Sequence, residues 1–472
     1  MTEATPVRPV LLTGGTVVTM DPARRVFDDG AVLVVDGRIA SVANREAVEA
    51  VAAGISAEAG VIERIDCSGQ LVIPGFVNTH THLFQGLLKG LGDDKPLHRW
   101  LAEMTLPAAT ALEEDDCEAA AGLGAVEAIR SGATTIVDFM YAHPRPYLAD
   151  AVYRGLDGTG VRAVVARGFL TRGEENGVPP ALIEPLGQVL ADVERLRATY
   201  ESGDGRITFG IAPCLVWMVD EAGFRATREF ADATGSLITY HMAETSFEVE
   251  QTERLYGMRE TAFLERTGFL APDLLAVHCV KLDTGDDIAR LRTHDVRVSH
   301  NPVSNMYLAS GVAPIVEMDR AGLTIALATD GPASNTNQNM LQVLKFAALL
   351  HKVAHEDAEA MTAPRVLEMA TLGGARGVGM DEEIGSLEVG KRADIAVFGL
   401  DGAFAAPVHE PVSALVYSTS GNECRTVLVD GQVLMLDGRL TTIDEEAVLD
   451  RARRAAAELK KRARITRNRA WA

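Results

Sequence analysis

Between about residue 74 and residue 372, short apolar runs alternate with amphipathic helical stretches, and several of the apolar runs end in imidazoles or carboxylates. Eight such runs can be counted: LVIPGFVNTH, ATTIVDF, VRAVVARG, RITFGIAPC, SLITYHMAE, LLAVHCV, VRVSHNP and LTIALATD. Helical segments such as EDDCEAAAGLGAVEAIRSG and DDIARLRTHD lie between them. Strand–helix alternation marks βα units, and eight of them is the number that closes a (β/α)8 barrel. The alternative, a doubly wound sheet, lacks the glycine-rich phosphate loop expected after an early strand.

The chain ends read differently. VLLTGGTVVTMD, DGAVLVVDGRIASVA and RIDCSGQLVIPGF are β-branched runs broken by DG, GG and SG turns, and a matching set returns in GSLEVGKRADIAVFGLDG, VSALVYSTS and CRTVLVDGQVLMLDGRLT. The expectation is a small β-sandwich assembled from residues 1–73 and 373–472 around a catalytic barrel spanning 74–372. The final DEEAVLDRARRAAAELKKRAR reads as a surface helix with a basic end, a nucleic-acid-binding tail being the alternative. A net charge of −21 argues against nucleic-acid and anionic-membrane surfaces, which demand basic patches. There is no apolar run of the roughly 18 residues needed to span a bilayer, and MTEATPVRPV has no secretory-signal character. A cytoplasmic enzyme is expected. Cys67, Cys117, Cys214, Cys279 and Cys424 are scattered and show no metal-binding or disulfide spacing.

In a barrel the active site gathers where the strands end. Here the first strand ends in Asn78-Thr79-His80-Thr81-His82, the fifth in His241-Met242-Ala243-Glu244, the sixth in His278, the seventh in His300-Asn301 and the eighth in Asp330. His80 and His82 are two apart on a strand and share a face. An isolated HxH pair is as easily structural. With His241 and Asp330 it forms a three-nitrogen, one-oxygen set that suits one divalent first-row ion and leaves a position for water. Such a water has its pKa lowered towards about 7. Glu244 is placed to carry its proton, and His278 to hold the water or the substrate. The alternatives are a helix-capping carboxylate and a core histidine. His300 suits the site by position, while SHNP is also a turn signal. The other histidines, His98, His143, His294, His351, His355 and His409, have no such placement.

These motifs resemble the amidohydrolase superfamily, in particular its mononuclear aminohydrolase branch. The resemblance runs through PGFVNTHTH at 74–82, HMAE at 241–244, VHCV at 277–280, SHNPVSN at 299–305, ATDGPASN at 328–335 and the late IGSLEVGKRADIAVF. It implies a single zinc or iron held by His80, His82, His241 and Asp330, a proton-shuttling Glu244, an assisting His278 and a homo-oligomeric enzyme. Binuclear members carry a bridging lysine on a middle strand, and neither RITFGIAPC nor VRAVVARG has one. The branch mostly hydrolyses a C–NH2 bond on a nitrogen heterocycle, with Asp330 also able to take a proton from the attacking water.

Two substrate readings compete. HCV, SHNPVSNMYLASG and LLHK resemble deaminases of 5′-methylthioadenosine and S-adenosylhomocysteine, but that group's sugar-side glutamate and histidine fall at Ala109 and Cys214. ARGFLTRGEENGVPP and APC are more similar to 8-oxoguanine deaminases and triazine hydrolases. The expectation therefore leans to a bare oxopurine, pyrimidine, pterin or triazine ring. Expulsion of chloride or another leaving group is a second class, and a non-catalytic scaffold a third. Gln85 can read a ring amide edge, Trp100 can stack on a ring and Arg167 can meet a carbonyl or anionic edge. Structural roles serve each equally well. Asn301, Ser304 and Asn305, with His300, are candidates for orienting the ligands by hydrogen bonds.

Overall fold

A computed structural model of the chain describes residues 8–59, 61–201 and 205–466. Five strands, Val10–Val18 (β1), Val26–Val35 (β2), Arg38–Asn44 (β3), Glu63–Asp66 (β4) and Gln70–Pro74 (β5), precede the barrel. Its eight strands are Phe76–Thr81 (β6), Ala133–Met140 (β7), Arg162–Phe169 (β8), Ile207–Pro213 (β9), Ile238–Met242 (β10), Leu274–His278 (β11), Arg297–His300 (β12) and Ile325–Leu327 (β13). They pair in parallel in chain order from β6 to β13. Every residue of β7 and β8 is buried, as expected where helices cover one face and the barrel interior the other.

Side chains bring the ends of this sheet together. The Asn78 amide donates to Thr329 Oγ1 at 2.8 Å and its carbonyl accepts from Thr329 N at 3.0 Å. Thr79 Oγ1 donates to Leu327 O at 3.1 Å, and Asp330 N to His80 O at 3.0 Å. The barrel is thereby nearly closed, and the same bonds fix the residues after β13 against the end of β6.

Local signals set the strand entries. The helix Glu114–Ser131 starts in a capping box between Glu113 and Asp116 and stops at Gly132, whose φ is 85°. A Cβ on Gly132 would lie 2.5 Å from Phe398 Cζ, so both the backbone and the packing require glycine there.

The chain returns through Ile395–Gly399 (β14), Cys424–Val429 (β15), Gln432–Leu436 (β16) and Arg439–Leu440 (β17). With β1–β5 these form one nine-stranded mixed sheet, ordered β17-β16-β15-β14-β5-β1-β2-β3 with β4 on β1. The sheet curls until its Asp36-Gly37 and Asp430-Gly431 turns meet: Ala393 N donates to Gly37 O at 2.9 Å and Gly431 N to Ala393 O at 3.1 Å. One apolar face closes on itself around Leu12, Val32, Val72, Ile395 and Leu428. Arg162, at the start of β8, pairs with Asp394 and Asp430 and ties the barrel to this sheet.

The last helix, Glu445–Arg462, lies against Glu114–Ser131, with Arg451 paired to Glu118 and Arg462 to Asp116. Among the described residues no helix is long and apolar enough to cross a membrane.

Candidate metal centre

His80, His82, His241, His278 and Asp330, drawn from β6 and the residue that follows it, β10, β11 and the turn after β13, meet at one end of the barrel, and all five are buried. His80 Nε2 and His82 Nε2 each lie 3.4 Å from Asp330 Oδ1. His82 Nε2 and His241 Nε2 face each other at 3.3 Å. His80, His82 and His241 offer nitrogens within 4.8 Å of one another, as do His80, His278 and Asp330 through their own donor atoms. The turns that carry these groups are strained: Ala243, His278 and Asp330 have φ of 47°, 71° and 61°, a region that costs non-glycine residues on the order of 1–3 kcal/mol each.

The donor atoms fit a cation. His82 Nδ1 lies 2.7 Å from Phe139 O and His241 Nδ1 lies 3.0 Å from Cys214 O, so both rings carry their proton on Nδ1. Each Nε2 then presents a lone pair, and the 3.3 Å approach sets two lone pairs against each other. Neither His80 nitrogen has a hydrogen-bond partner. Burial, with His80 adding to it, drives the His82 imidazole down to about 3. Burial likewise holds His241 well below the ordinary histidine range. Burial opposes the charge on Asp330, yet the His80 contact and the surrounding imidazoles hold its carboxyl well below the usual range. Neutral imidazoles around an ionised carboxylate are the protonation states that metal ligation requires. The set suits a divalent metal ion.

The supporting bonds come from the segments that follow the strands, Ser304 and Asn305 lying in the helix Pro302–Tyr307 and Ser334 in Pro332–Asn335. Asp330 Oδ2 accepts from Ser304 Oγ at 2.5 Å and Ser334 Oγ at 3.1 Å, and Oδ1 accepts from Gly331 N at 2.6 Å. His278 Nδ1 lies 2.9 Å from Asn305 Oδ1 and 3.3 Å from Asn301 Nδ2. The opposite nitrogen, Nε2, stands 3.7 Å from Glu244 Oε2 and 3.9 Å from Asp330 Oδ2. Glu244 Oε1 accepts from Ser310 Oγ at 2.9 Å. Burial raises the Glu244 carboxyl above the usual range.

A pocket of about 540 Å³ opens over these groups. Gln85 and Trp100 line it, and the Gln85 carbonyl oxygen has no hydrogen-bond partner. Trp100 Nε1 donates to Ala333 O at 3.3 Å. Arg167 corrects the sequence reading, because it does not line the pocket. It makes two bonds of 2.6 Å to Glu184 and one of 3.2 Å to Asp192, so its guanidinium is committed to the protein. His300 also stands off the pocket wall, its Nε2 3.0 Å from His351 Nε2.

Sequence reasoning missed Tyr141, Ser310 and Ser334. Ser310 and Ser334 lie in or beside the motifs MYLASG and ATDGPASN, but nothing in the pattern tells which serine meets which carboxylate. Tyr141 lines the pocket just past β7, its hydroxyl 3.4 Å from Gln85 Nε2, and followed no polar signal in its strand.

Residues 71–434 match the model of the amidohydrolase family. The chain is 38% identical over 451 residues to the 5′-deoxyadenosine deaminase of Methanothermobacter thermautotrophicus, covering 95% of this chain and 98% of the relative. It is 36% identical over 452 residues to the 5-methylthioadenosine/S-adenosylhomocysteine deaminase of Syntrophobacter fumaroxidans, covering 96% and 98%. The zinc-bound crystal structure of an adenosine deaminase from Xanthomonas campestris superposes with a TM-score of 0.88 at 29% identity, covering 97% of this chain and 100% of that one. The chain belongs to the amidohydrolase family and is a hydrolase.

Proposed function

We propose that this protein is a hydrolytic deaminase of adenine nucleosides modified at the 5′ position, exchanging the C6 amine for oxygen and releasing ammonia. The observation that carries the reading is the near-full-length likeness to two relatives named for that chemistry. It replaces the expectation of a bare ring. That expectation leaned on Ala109 and Cys214 as missing sugar contacts; Ala109 is buried away from the pocket wall and so bears on no sugar contact, while Cys214 lines the pocket and also holds His241 Nδ1 through its carbonyl. A second chamber that shares a wall with the pocket also gives room for a group beyond the base.

We assign one ion, zinc, to His80, His82, His241 and Asp330. Three imidazoles with one carboxylate are a zinc donor set, and β8 and β9 offer no lysine to bridge a second ion. When bound, such an ion acidifies water so that hydroxide is available near neutral pH. The chain does the rest. Ser310 fixes one oxygen of Glu244, leaving the other free to hold the proton that water gives up and to return it to the substrate. One proton must reach ring N1 and one the departing amine, and a carboxyl whose affinity for protons is raised by burial serves that return. His278 stands between Glu244 and Asp330, its ring held by Asn305, and orients what binds there.

Ammonia release from 5′-deoxyadenosine, 5′-methylthioadenosine, S-adenosylhomocysteine and adenosine, set beside 8-oxoguanine, pterins and triazines, tests the reading. Turnover of the nucleosides well above the bare rings is the expected result. Turnover confined to bare rings, or release of chloride from chlorotriazines without ammonia from any nucleoside, removes it.

A further inference from the structure

Outside the catalytic pocket lies a second chamber of about 930 Å³. Leu97, Leu101, Leu106, Leu215 and Leu308 belong to the walls of both spaces, so the two adjoin across a leucine neck. The outer chamber is largely apolar, with Phe247 edge-on to Trp217 at 5.6 Å.

Its polar groups are unbalanced. Trp217 is only 4% exposed, and its Nε1–H has no acceptor. The Asn176 Nδ2 amide group is buried and has none either. Lys281, half-buried on the same wall, has no carboxylate within ion-pair distance among the described residues. Its ammonium rests against Gly311, where a Cβ would come within 2.8 Å of Nζ. The one acidic side chain on the wall, Glu248, is engaged by the Glu244 and Thr245 amides. Buried donors almost always have an acceptor. Two buried donors without one, beside a half-buried ammonium on the same wall, suit an anionic oxygen group.

We propose that this chamber reads a carboxylate or phosphate on the 5′ arm of the substrate, received by Lys281, Trp217 and Asn176. The proposal rests on the nucleoside reading and narrows it: the preferred substrate carries a negative charge at the far end from the ring being deaminated.

The test compares kcat/KM for S-adenosylhomocysteine (carboxylate arm) and adenosine 5′-monophosphate (phosphate arm) with that for 5′-deoxyadenosine, which has no charged arm. The ratio within each protein variant cancels differences in folding and active fraction. The wild-type ratio is expected to exceed one for at least one anionic substrate, and whichever exceeds it names the anion. Lys281→Met should reduce that ratio about tenfold or more, the scale of losing a charge-assisted hydrogen bond. Lys281→Arg should restore most of it. Trp217→Phe, which keeps the ring and deletes the N–H, should lower it by a smaller factor. A wild-type ratio below one for both anions, or a ratio unmoved by Lys281→Met, overturns the subsite while deamination of 5′-deoxyadenosine leaves the nucleoside reading standing. Absence of deamination for all three substrates overturns both.

Discussion

His82 and His241 present Nε2 to Nε2 at 3.3 Å, while the Nδ1 of each is spent on a main-chain carbonyl. That approach is unfavourable unless a cation lies between the lone pairs, so the metal-free protein should be less stable. An ion present at about a hundred times its Kd contributes roughly 2.7 kcal/mol, or about 3 °C in Tm for a chain of this size. Chelation should lower Tm by that order and abolish ammonia release, and added zinc should return both. Unchanged melting and turnover once the metal content has fallen to background would refute the centre.

Glu244 is held through Oε1 by Ser310 while Oε2 faces His278. Glu244→Gln keeps the shape and an acceptor for Ser310 but cannot shuttle a proton. It should retain metal, measured by elemental analysis, and lose about 100-fold or more in kcat. Rates near those of the wild type would remove Glu244 as the proton carrier.

Ser304 donates to the same Asp330 oxygen as Ser334. Deleting one of two such bonds leaves the ligand in place but less firmly aimed. Ser304→Ala should weaken metal affinity by about 10-fold or more, read by competition with a chromophoric chelator. An unaltered affinity would show that Ser334 and Gly331 suffice to orient the carboxylate.

The meeting of His80, His82, His241 and Asp330 at one end of the barrel was legible because strand geometry makes it so. His80 and His82 share a face by the two-residue period, and an apolar run that ends in His or Asp has few reasons to do so other than a barrel-mouth site. Arg167 was misplaced for a reason of the same kind. Val164 packs with Val77 and Val137 of the neighbouring strands, and Arg167, an odd number of residues further along β8, lies on the opposite face, towards Glu184 and Asp192. Counting the strand's parity, rather than nearness to its end, would have set it aside. Ser310 and the leucine neck were not legible at all. Ser310 meets Glu244 across 66 positions of chain, a pairing that only the assembled loops decide.

Arg167 therefore makes a stability prediction instead of a binding one. Its side chain is 4% exposed while those of Glu184 and Asp192 are 16% and 23% exposed, so the abandoned carboxylates keep some solvent. Arg167→Met should cost about 2 kcal/mol, less than the 3–5 kcal/mol of a fully buried pair. KM for the nucleoside substrates should stay within about twofold, the effect being on folding and not on a contact. A large rise in KM with unaltered urea denaturation would return Arg167 to the substrate.

Glu260 gives stability a pH dependence of known sign. It is buried beside β10, accepting from the Tyr240 hydroxyl and from Ala243 N at 3.1 Å. Burial pushes its carboxyl up to about 7 against those two bonds; Asp287 adds to the push and Arg259 opposes it, while Glu248 faces it from the preceding helix. In the unfolded chain the same group titrates near 4.5. Between these values the folded protein holds a proton that the unfolded chain has released. The group's contribution is therefore complete below about pH 4.5, is lost as pH rises through about 7 and stays lost above, a change on the order of 3 kcal/mol. Glu260→Gln keeps an acceptor for Ala243 N and cannot ionise. Relative to the wild type, its urea-denaturation stability should improve by that order between pH 5 and pH 8. A difference that is the same at both pH values would mean that Glu260 carries its charge in the folded core at no cost.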